Sequence, residues 1–271
     1  MLYRARPQGI QIKSQTELEG MRRAGRMASE CLQWILEQIE VGMHTQAIDD
    51  LQMEYCAKHN VTPAPLQYRG FPKSICTSIN EVICHGIPSK HEVLKDGDTV
   101  GIDVTLIVDG FYGDNAATVP VGTISDGARK LLDVTLESLR LGIEAARANN
   151  RMGDVGHAIQ SYVEPHGFSV VRDFVGHGIG REFHEPPQVM HYGRPNRGER
   201  LRPGMTFTIE PMVNEGVYDC HVLDDGWTAV TADNKLSAQF EHTIAITPEG
   251  PEILTMQNDT GAWEVPGRAS W

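Results

Sequence analysis

The 271-residue sequence predicts a mixed α/β (α+β) fold built from two related halves. Three observations predict it. Apolar residues recur at helical spacing in two long runs. Two β-rich stretches flank Asp109-Gly110, a strong two-residue hairpin signal. The pattern L-x-x-G-x-x-x-x-I-acid occurs twice, as Leu94, Gly97, Ile102, Asp103 and as Leu201, Gly204, Ile209, Glu210, offset by 107 positions. Halves that face each other would set Asp103 and Glu210 near a pseudo-two-fold axis.

Taken in order, Ser14 with Glu17 three positions on forms a capping box. Leu18, Met21, Ala28, Leu32, Ile35 and Ile39 follow at helical spacing, predicting one long amphipathic helix that continues to Gly42. A second helix is expected from Thr45 to about His59, after which Pro63, Pro65, Gly70 and Pro72 break the pattern. Strand-like alternation returns near Ile75. The order then recurs: a long helix around Ala128 to Ala148, a turn at Met152-Gly153, a shorter helix to about Glu164, then strands. The expected organisation is one domain over 1–271, with halves at 14–123 and 124–255 and a tail at 256–271 that has no assigned function.

Hydrophobic residues at 40% and charged residues at 22% fit a soluble globular chain and exclude disorder, collagen and coiled coil. The balance of 24 Lys+Arg against 36 Asp+Glu leaves −12, which argues against a broad cationic grip on nucleic acid. Five scattered cysteines without a C-x-x-C pair suggest neither a disulfide framework nor a zinc ribbon. With no secretory apolar core and no run of about 18 apolar residues, the expectation is a cytoplasmic protein.

The chemistry starts in the hairpin. A turn at Asp109-Gly110 sets Asp103 opposite Ala116, and Asp114, two residues earlier, then shares Asp103's face. The two carboxylates become diagonal neighbours about 7–8 Å apart at the backbone. Converging anions repel unless a cation lies between them, and Lys95, the nearest in sequence, precedes the strand. From this segment alone, a divalent metal and a pair of solvated carboxylates are equal readings. Glu210 in TFTIEPM and Glu241 in SAQFEHTIAIT weigh on the first side, because each acid stands where a strand would present a core residue. One buried acid needs a partner; four suggest a shared cation. Singly, Glu210 and Glu241 would read as edge residues.

His177 stands between Gly176 and Gly178, which permit close backbone approach, and His85 in CHG and His184 in FHE resemble it. His44, His59, His91, His157, His166 and His221 read as structural or solvated. Four carboxylates and one imidazole are too oxygen-rich for structural zinc and suit two divalent ions about 3.5–4 Å apart that activate a water. Hydrolysis is the reaction class implied. Gly-x-Ser-x-Gly, Walker, Gly-x-Gly-x-x-Gly and His-Glu-x-x-His motifs are absent. Cys76 and Cys84 are the thiol alternative, with only nearby His85 to activate either one.

Asp103, Asp114, His177, Glu210 and Glu241, in this order, resemble the metal ligands of type I methionine aminopeptidases. FVGHGIGREFHEPPQVMHY, SINEVICHGIP, IDVTLIVDGFYGD, TIEPM and SAQFEHT are similar to that family's diagnostic blocks, over about residues 14 to 255. The resemblance implies the pita-bread fold, with two pseudo-symmetric halves forming a central antiparallel sheet and helices outside. It implies excision of the initiator methionine from nascent polypeptide N-termini when the second residue is small. Two divalent ions are implied as cofactors: manganese, iron or cobalt, with zinc a further candidate. By resemblance, Asp103 and Glu241 bridge the metals, Asp114 chelates one, and His177 and Glu210 hold the other, Glu210 also shuttling a proton. His184 would bond the scissile carbonyl, and His85 would contact the peptide near the leaving nitrogen. Tyr68, Phe71, Cys76, Phe183 and Trp227 match the methionine pocket, although Pro65 and Arg69 stand where well-known bacterial members carry cysteine and histidine. The implied partners are nascent chains and, transiently, the ribosome, with a monomeric enzyme and no sequence-specific nucleic acid or membrane. The alternatives are a proline-directed aminopeptidase or dipeptidase and a non-catalytic binding protein, both on this fold.

Overall fold

Ser14 caps the first helix: its Oγ accepts from the Glu17 N–H, and Glu17 Oε2 accepts from the Ser14 N–H at 2.9 Å. In the computed structural model, which describes residues 9–256, helices α1 (Gln15–Leu36), α2 (Thr45–His59), α3 (Asp126–Ala145) and α4 (Met152–Val163) pack against the strands. The 256–271 tail lies, apart from Met256, outside the described residues. Helix α1 stops at Leu36 and does not run on to Gly42, because the N–H groups of Gln38 and Ile39 close tight i→i+3 turns onto Ile35 and Leu36. Met152-Gly153, expected as a turn, forms the first residues of α4.

The strands of the first half are β1 (Thr62–Pro63), β2 (Cys76–Ile79), β3 (Val82–Cys84), β4 (Thr99–Val108) and β5 (Phe111–Pro120). Those after α4 are β6 (Ser169–Val170), β7 (Gly176–Gly178), β8 (Glu185–Val189), β9 (Thr206–Ile209), β10 (Met212–Asn214), β11 (Cys220–Val222), β12 (Ala229–Thr231), β13 (Ser237–Ile246) and β14 (Pro251–Ile253). Among the described residues the main sheet runs β1-β4-β5-β13-β9-β7-β8 with antiparallel pairings, and β11-β12-β3 form a second small sheet.

The hairpin register is as the turn residues demand. Asp109 and Gly110 both take positive φ (50° and 76°), as a type I′ turn requires, and Asp103 pairs with Ala116. Ala116 pairs in turn with Glu241 of β13. Thr206–Met212, expected as one run, is broken between β9 and β10, because Pro211 has no N–H to donate to the ladder. The register is unchanged across the break: His242 faces Ile209 and Gln239 faces Met212, so Glu241 lies across from Glu210. One row therefore reads Asp103, Ala116, Glu241, Glu210. The next row on the same face holds Thr105, Asp114 and Thr243, and Thr243 faces Thr208.

The opposite face carries Ile102, Val104, Ala117, Phe240, Ile244, Phe207 and Ile209, nearly all with essentially no exposure, packed under α1 and α3. Leu18, Met21, Ala24, Ala28, Leu32 and Ile35 of α1 are buried on this layer, each fully buried aliphatic side chain contributing about 1.5–3 kcal/mol. All ten residues of β13 are buried, so its polar face is enclosed rather than solvated. Thus the sheet has an apolar side that holds the fold and an enclosed acidic side.

Candidate active site

Five adjacent strands, in the spatial order β4, β5, β13, β9, β7, each carry or run directly into one of the five predicted ligands: Asp103, Asp114, Glu241, Glu210, His177. They line one cavity of about 320 Å³. One ligating atom from each of Asp114, His177 and Glu241 lies within 4.8 Å of the others. His177 Nε2 is 3.6 Å from Asp114 Oδ2 and 3.8 Å from Glu210 Oε1. The close approach of β7 depends on its glycines: a Cβ on Gly176 would fall 2.5 Å from the Thr208 carbonyl oxygen, and one on Gly178 would fall 2.2 Å from that of Pro186.

Neighbouring polar groups set these side chains. His177 Nδ1 lies 3.0 Å from the Gly178 carbonyl oxygen, which can only accept, so Nδ1 carries the proton and Nε2 offers its lone pair to the cavity. Thr105 donates to Asp114 Oδ1 at 2.6 Å, Thr208 donates to Glu210 Oε1 at 2.6 Å, and Gln239 Nε2 donates to Glu210 Oε2 at 3.3 Å. His191, buried, accepts the Glu210 N–H at Nε2 (3.1 Å), and burial pulls its pKa down to about 3. Sequence reasoning passed over Thr105, Thr208, His191 and Gln239. The alternation that put Gln239 and Glu241 on one face was the only signal for any of them.

Electrostatically the cluster is unbalanced. Burial, reinforced by Asp114 and Glu210, pushes Asp103 well above the carboxylate range. Burial and the charges of Asp114, Glu210 and Asp103 do the same to Glu241, whose buried Oε1 has no hydrogen-bond partner. Glu210 is pushed up to about 7 by burial, against the lowering effects of His177 and the Thr208 hydroxyl. Burial would lower His177, but Asp114 and Glu210 outweigh it and the net shift is upward. An unpartnered buried carboxylate oxygen among mutually repelling acids, beside an imidazole aimed by its far nitrogen, is the donor set of a divalent cation.

Beside the acids, aromatic side chains form a slot. The rings of Phe71 and Trp227 meet edge to face at 5.2 Å, Tyr68 and Phe183 lie 4.9 Å apart, and Cys76 closes the lining. Phe174 and Met212, not anticipated, also line it. His85 adopts φ 58° and its ring meets Phe174 at 5.5 Å, edge on. Tyr68 Oη and His184 Nδ1 are 3.0 Å apart, and the His184 ring lies 4.1 Å from that of His177. Desolvation, with the charges of His177, Arg69 and His85, pulls His184 down to about 3, so it is neutral at pH 7. The loop holding Phe183 and His184 is anchored by Glu185, which binds buried Lys13 and accepts from the Arg181 and Glu182 N–H groups. The Cys76 and Cys84 thiols are pushed well up, chiefly by burial, which disfavours the thiolate a cysteine mechanism needs.

The sequence pattern of metallopeptidase family M24 matches residues 19–248. The chain belongs to this family. Methionine aminopeptidase A of Synechocystis sp. is 56% identical to this chain over 247 residues that cover 91% of this chain and 98% of its own. The crystal structure of methionine aminopeptidase from Rickettsia prowazekii superimposes with a TM-score of 0.90 at 48% identity, covering 92% of this chain and all of that one. The prolidase from Pyrococcus horikoshii has the same fold at a TM-score of 0.72 and 22% identity, with 64% of its chain covered. Membership of M24 entails divalent metal use, which the buried Asp114, His177 and Glu241 cluster fits. Among the described residues no helix is long and apolar enough to cross a membrane.

A raised carboxyl pKa makes the metal-free fold lose stability as pH rises. Folded Glu210 holds its proton up to about pH 7 and the unfolded chain only to about 4.5, so stability present below 4.5 declines across that window. Adding manganese at 100 times its Kd should restore about 2.7 kcal/mol. Calorimetry of the metal-free protein from pH 4.5 to 7.5, with and without manganese, checks both; a melting temperature indifferent to the metal would contradict the site.

Proposed function

We propose that this chain is an aminopeptidase that hydrolyses the bond after an amino-terminal methionine when the second residue is small. The observation that carries the reading is a set of four carboxylates and one imidazole, on or directly after five adjacent strands, opening onto an aromatic slot. The relatives at 56% and 48% identity are named for this activity, whereas the likeness to a prolidase at 22% extends to the fold alone.

Two divalent ions are proposed, manganese, iron or cobalt suiting the oxygen-rich donors and zinc being a further candidate. Their ligands divide by strand order. Asp103 on β4 stands at one end, Glu210 and His177 by β9 and β7 at the other, and Asp114 and Glu241 on β5 and β13 between them. Asp114, which groups with both His177 and Glu241, would with Glu241 hold both ions, Asp103 one of them and His177 with Glu210 the other, whereas the resemblance assigns the shared positions to Asp103 and Glu241. When bound, such ions supply Lewis acidity that favours hydroxide over water at neutral pH.

The chain's own groups do the rest. Glu210, whose carboxyl is fixed by the Thr208 hydroxyl and the Gln239 amide, takes a proton from the attacking water and releases it to the leaving amine. Tyr68 Oη donates to His184 Nδ1, which leaves Nε2–H to bond the scissile carbonyl and the charge that develops on it. His85 assists at the leaving nitrogen. Tyr68, Phe71, Cys76, Phe183 and Trp227 receive the methionine, each sulfur–aromatic contact contributing about 0.3–1.5 kcal/mol. Nascent N-termini are the proposed substrates, met during transient contact with the ribosome by a monomeric cytoplasmic enzyme. The halves at 14–123 and 124–255 are read as related units because each opens with a long and a shorter helix before its strands.

Incubating the metal-loaded protein with Met-Ala-Ser and with Xaa-Pro peptides tests the activity. Methionine should be released from the first and nothing from the second. Cleavage of Xaa-Pro alone would establish the proline-directed reading, and binding of Met-Ala-Ser without turnover at saturating metal the non-catalytic one.

A further inference from the structure

Arg69 is the one lysine or arginine among the described residues that line the cavity. It is exposed and makes no hydrogen bond or ion pair among the described residues, although it lines the same cavity as five acids. It is nonetheless fixed in place. Its backbone is left-handed (φ 49°, ψ 27°), a conformation side-chain-bearing residues rarely adopt. The turn that imposes this is closed by Tyr68 N–H to Pro65 O at 2.9 Å, Gly70 N–H to Gln67 O at 3.2 Å and Phe71 N–H to Tyr68 O at 2.9 Å. The guanidinium carbon lies 5.2 Å from the centre of the Tyr68 ring, a cation–π contact. Tyr68 is in turn bonded to His184, so the charge stands beside the group placed at the scissile carbonyl.

Charge completes the case. Two divalent ions would cancel Asp103, Asp114, Glu210 and Glu241, leaving Arg69 and Asp173 as the remaining charges among the lining residues. Methionine points inward to the aromatic slot, so the chain beyond the scissile bond must leave through the cavity mouth. We infer that Arg69 is a specificity-determining residue that reads a carboxylate on the polypeptide just beyond the small second residue, favouring chains acidic at the third position over basic ones. The inference rests on the proposed methionine aminopeptidase activity.

The test uses the full chain loaded with manganese and the substrates Met-Ala-Asp-amide, Met-Ala-Asn-amide and Met-Ala-Lys-amide, with Met-Ala-Asn as the free acid to separate a side-chain carboxylate from a terminal one. At low salt the aspartate peptide should exceed the lysine peptide in kcat/KM by about fivefold, the size of one exposed ion pair, and through KM. The preference should shrink as ionic strength rises to about 1 M. Arg69→Gln should bring the ratio to about one and Arg69→Lys should retain part of it. A purely structural Arg69 would lower all the peptides alike and leave the ratio unmoved. A wild-type ratio near one, or a ratio that survives in Arg69→Gln, overturns the inference. A selectivity confined to the free-acid peptide overturns the third-residue assignment. Failure to cleave even Met-Ala-Asn-amide would instead count against the activity itself.

Discussion

Glu241→Gln should yield a protein that is more stable than the parent without metal, takes up no metal, and has lost more than about 100-fold of its turnover. Removing a hydrogen-bond partner of a metal ligand already costs about 10–100-fold, and loss of a ligand exceeds that. The opposite signs are the substance of the prediction. In the metal-free fold Glu241 is a buried carboxyl facing Asp114, Glu210 and Asp103, with one oxygen unpartnered, so an isosteric neutral amide relieves repulsion. The same amide removes the charge between the two outer ligand groups. Asp114→Asn should behave alike. Asp103→Asn, at the end of the row, should keep the binding of one ion while activity falls. Metal content per chain, measured on all three, separates the roles: retention of one ion by Asp114→Asn with loss of both by Asp103→Asn would restore Asp103 as the bridge.

Which parts of this site could be read beforehand follows from what specifies each contact. Asp109-Gly110 dictates a two-residue turn, and a turn dictates register, so the pairing of Asp103 with Ala116 was legible from local chemistry. Nothing local joins β5 to β13 or β13 to β9. Those pairings span over a hundred residues of chain in the first case, and only the buried acids and the resemblance pointed to their meeting. Thr105, Thr208 and Thr243 are ordinary strand formers in sequence, and their orienting bonds exist only once the strands are side by side. Lys13 and Glu185, 172 positions apart, carry no shared pattern at all. Periodicity overstates the length of α1 because Ile39 stays in phase with the apolar stripe and packs on the core after the helix has ended. Periodicity marks which residues are buried, whereas the end of a helix depends on who takes its last carbonyls.

His184→Ala should lower kcat by about 2.7–4 kcal/mol, or 10²–10³-fold, and leave metal content and the metal-induced rise in melting temperature intact. His184 stands on the rim, its ring parallel to that of Tyr68 at 5.3 Å and outside the acidic rows, so its loss deletes no ligand. Its low pKa means that it works as a neutral donor, and a neutral imidazole has a single N–H. Should the Tyr68 hydroxyl take the proton-bearing side, Nε2 would be an acceptor and useless to a developing oxyanion. The tautomer therefore makes Tyr68 part of the same device. Tyr68→Phe should reproduce a smaller share of the kcat loss, and combined with His184→Ala it should add little, since both remove one hydrogen bond. Steady-state kinetics on Met-Ala-Ser with parallel metal analysis decides the matter: collapse of metal content in His184→Ala, or full additivity of the two substitutions, would remove His184 from the carbonyl.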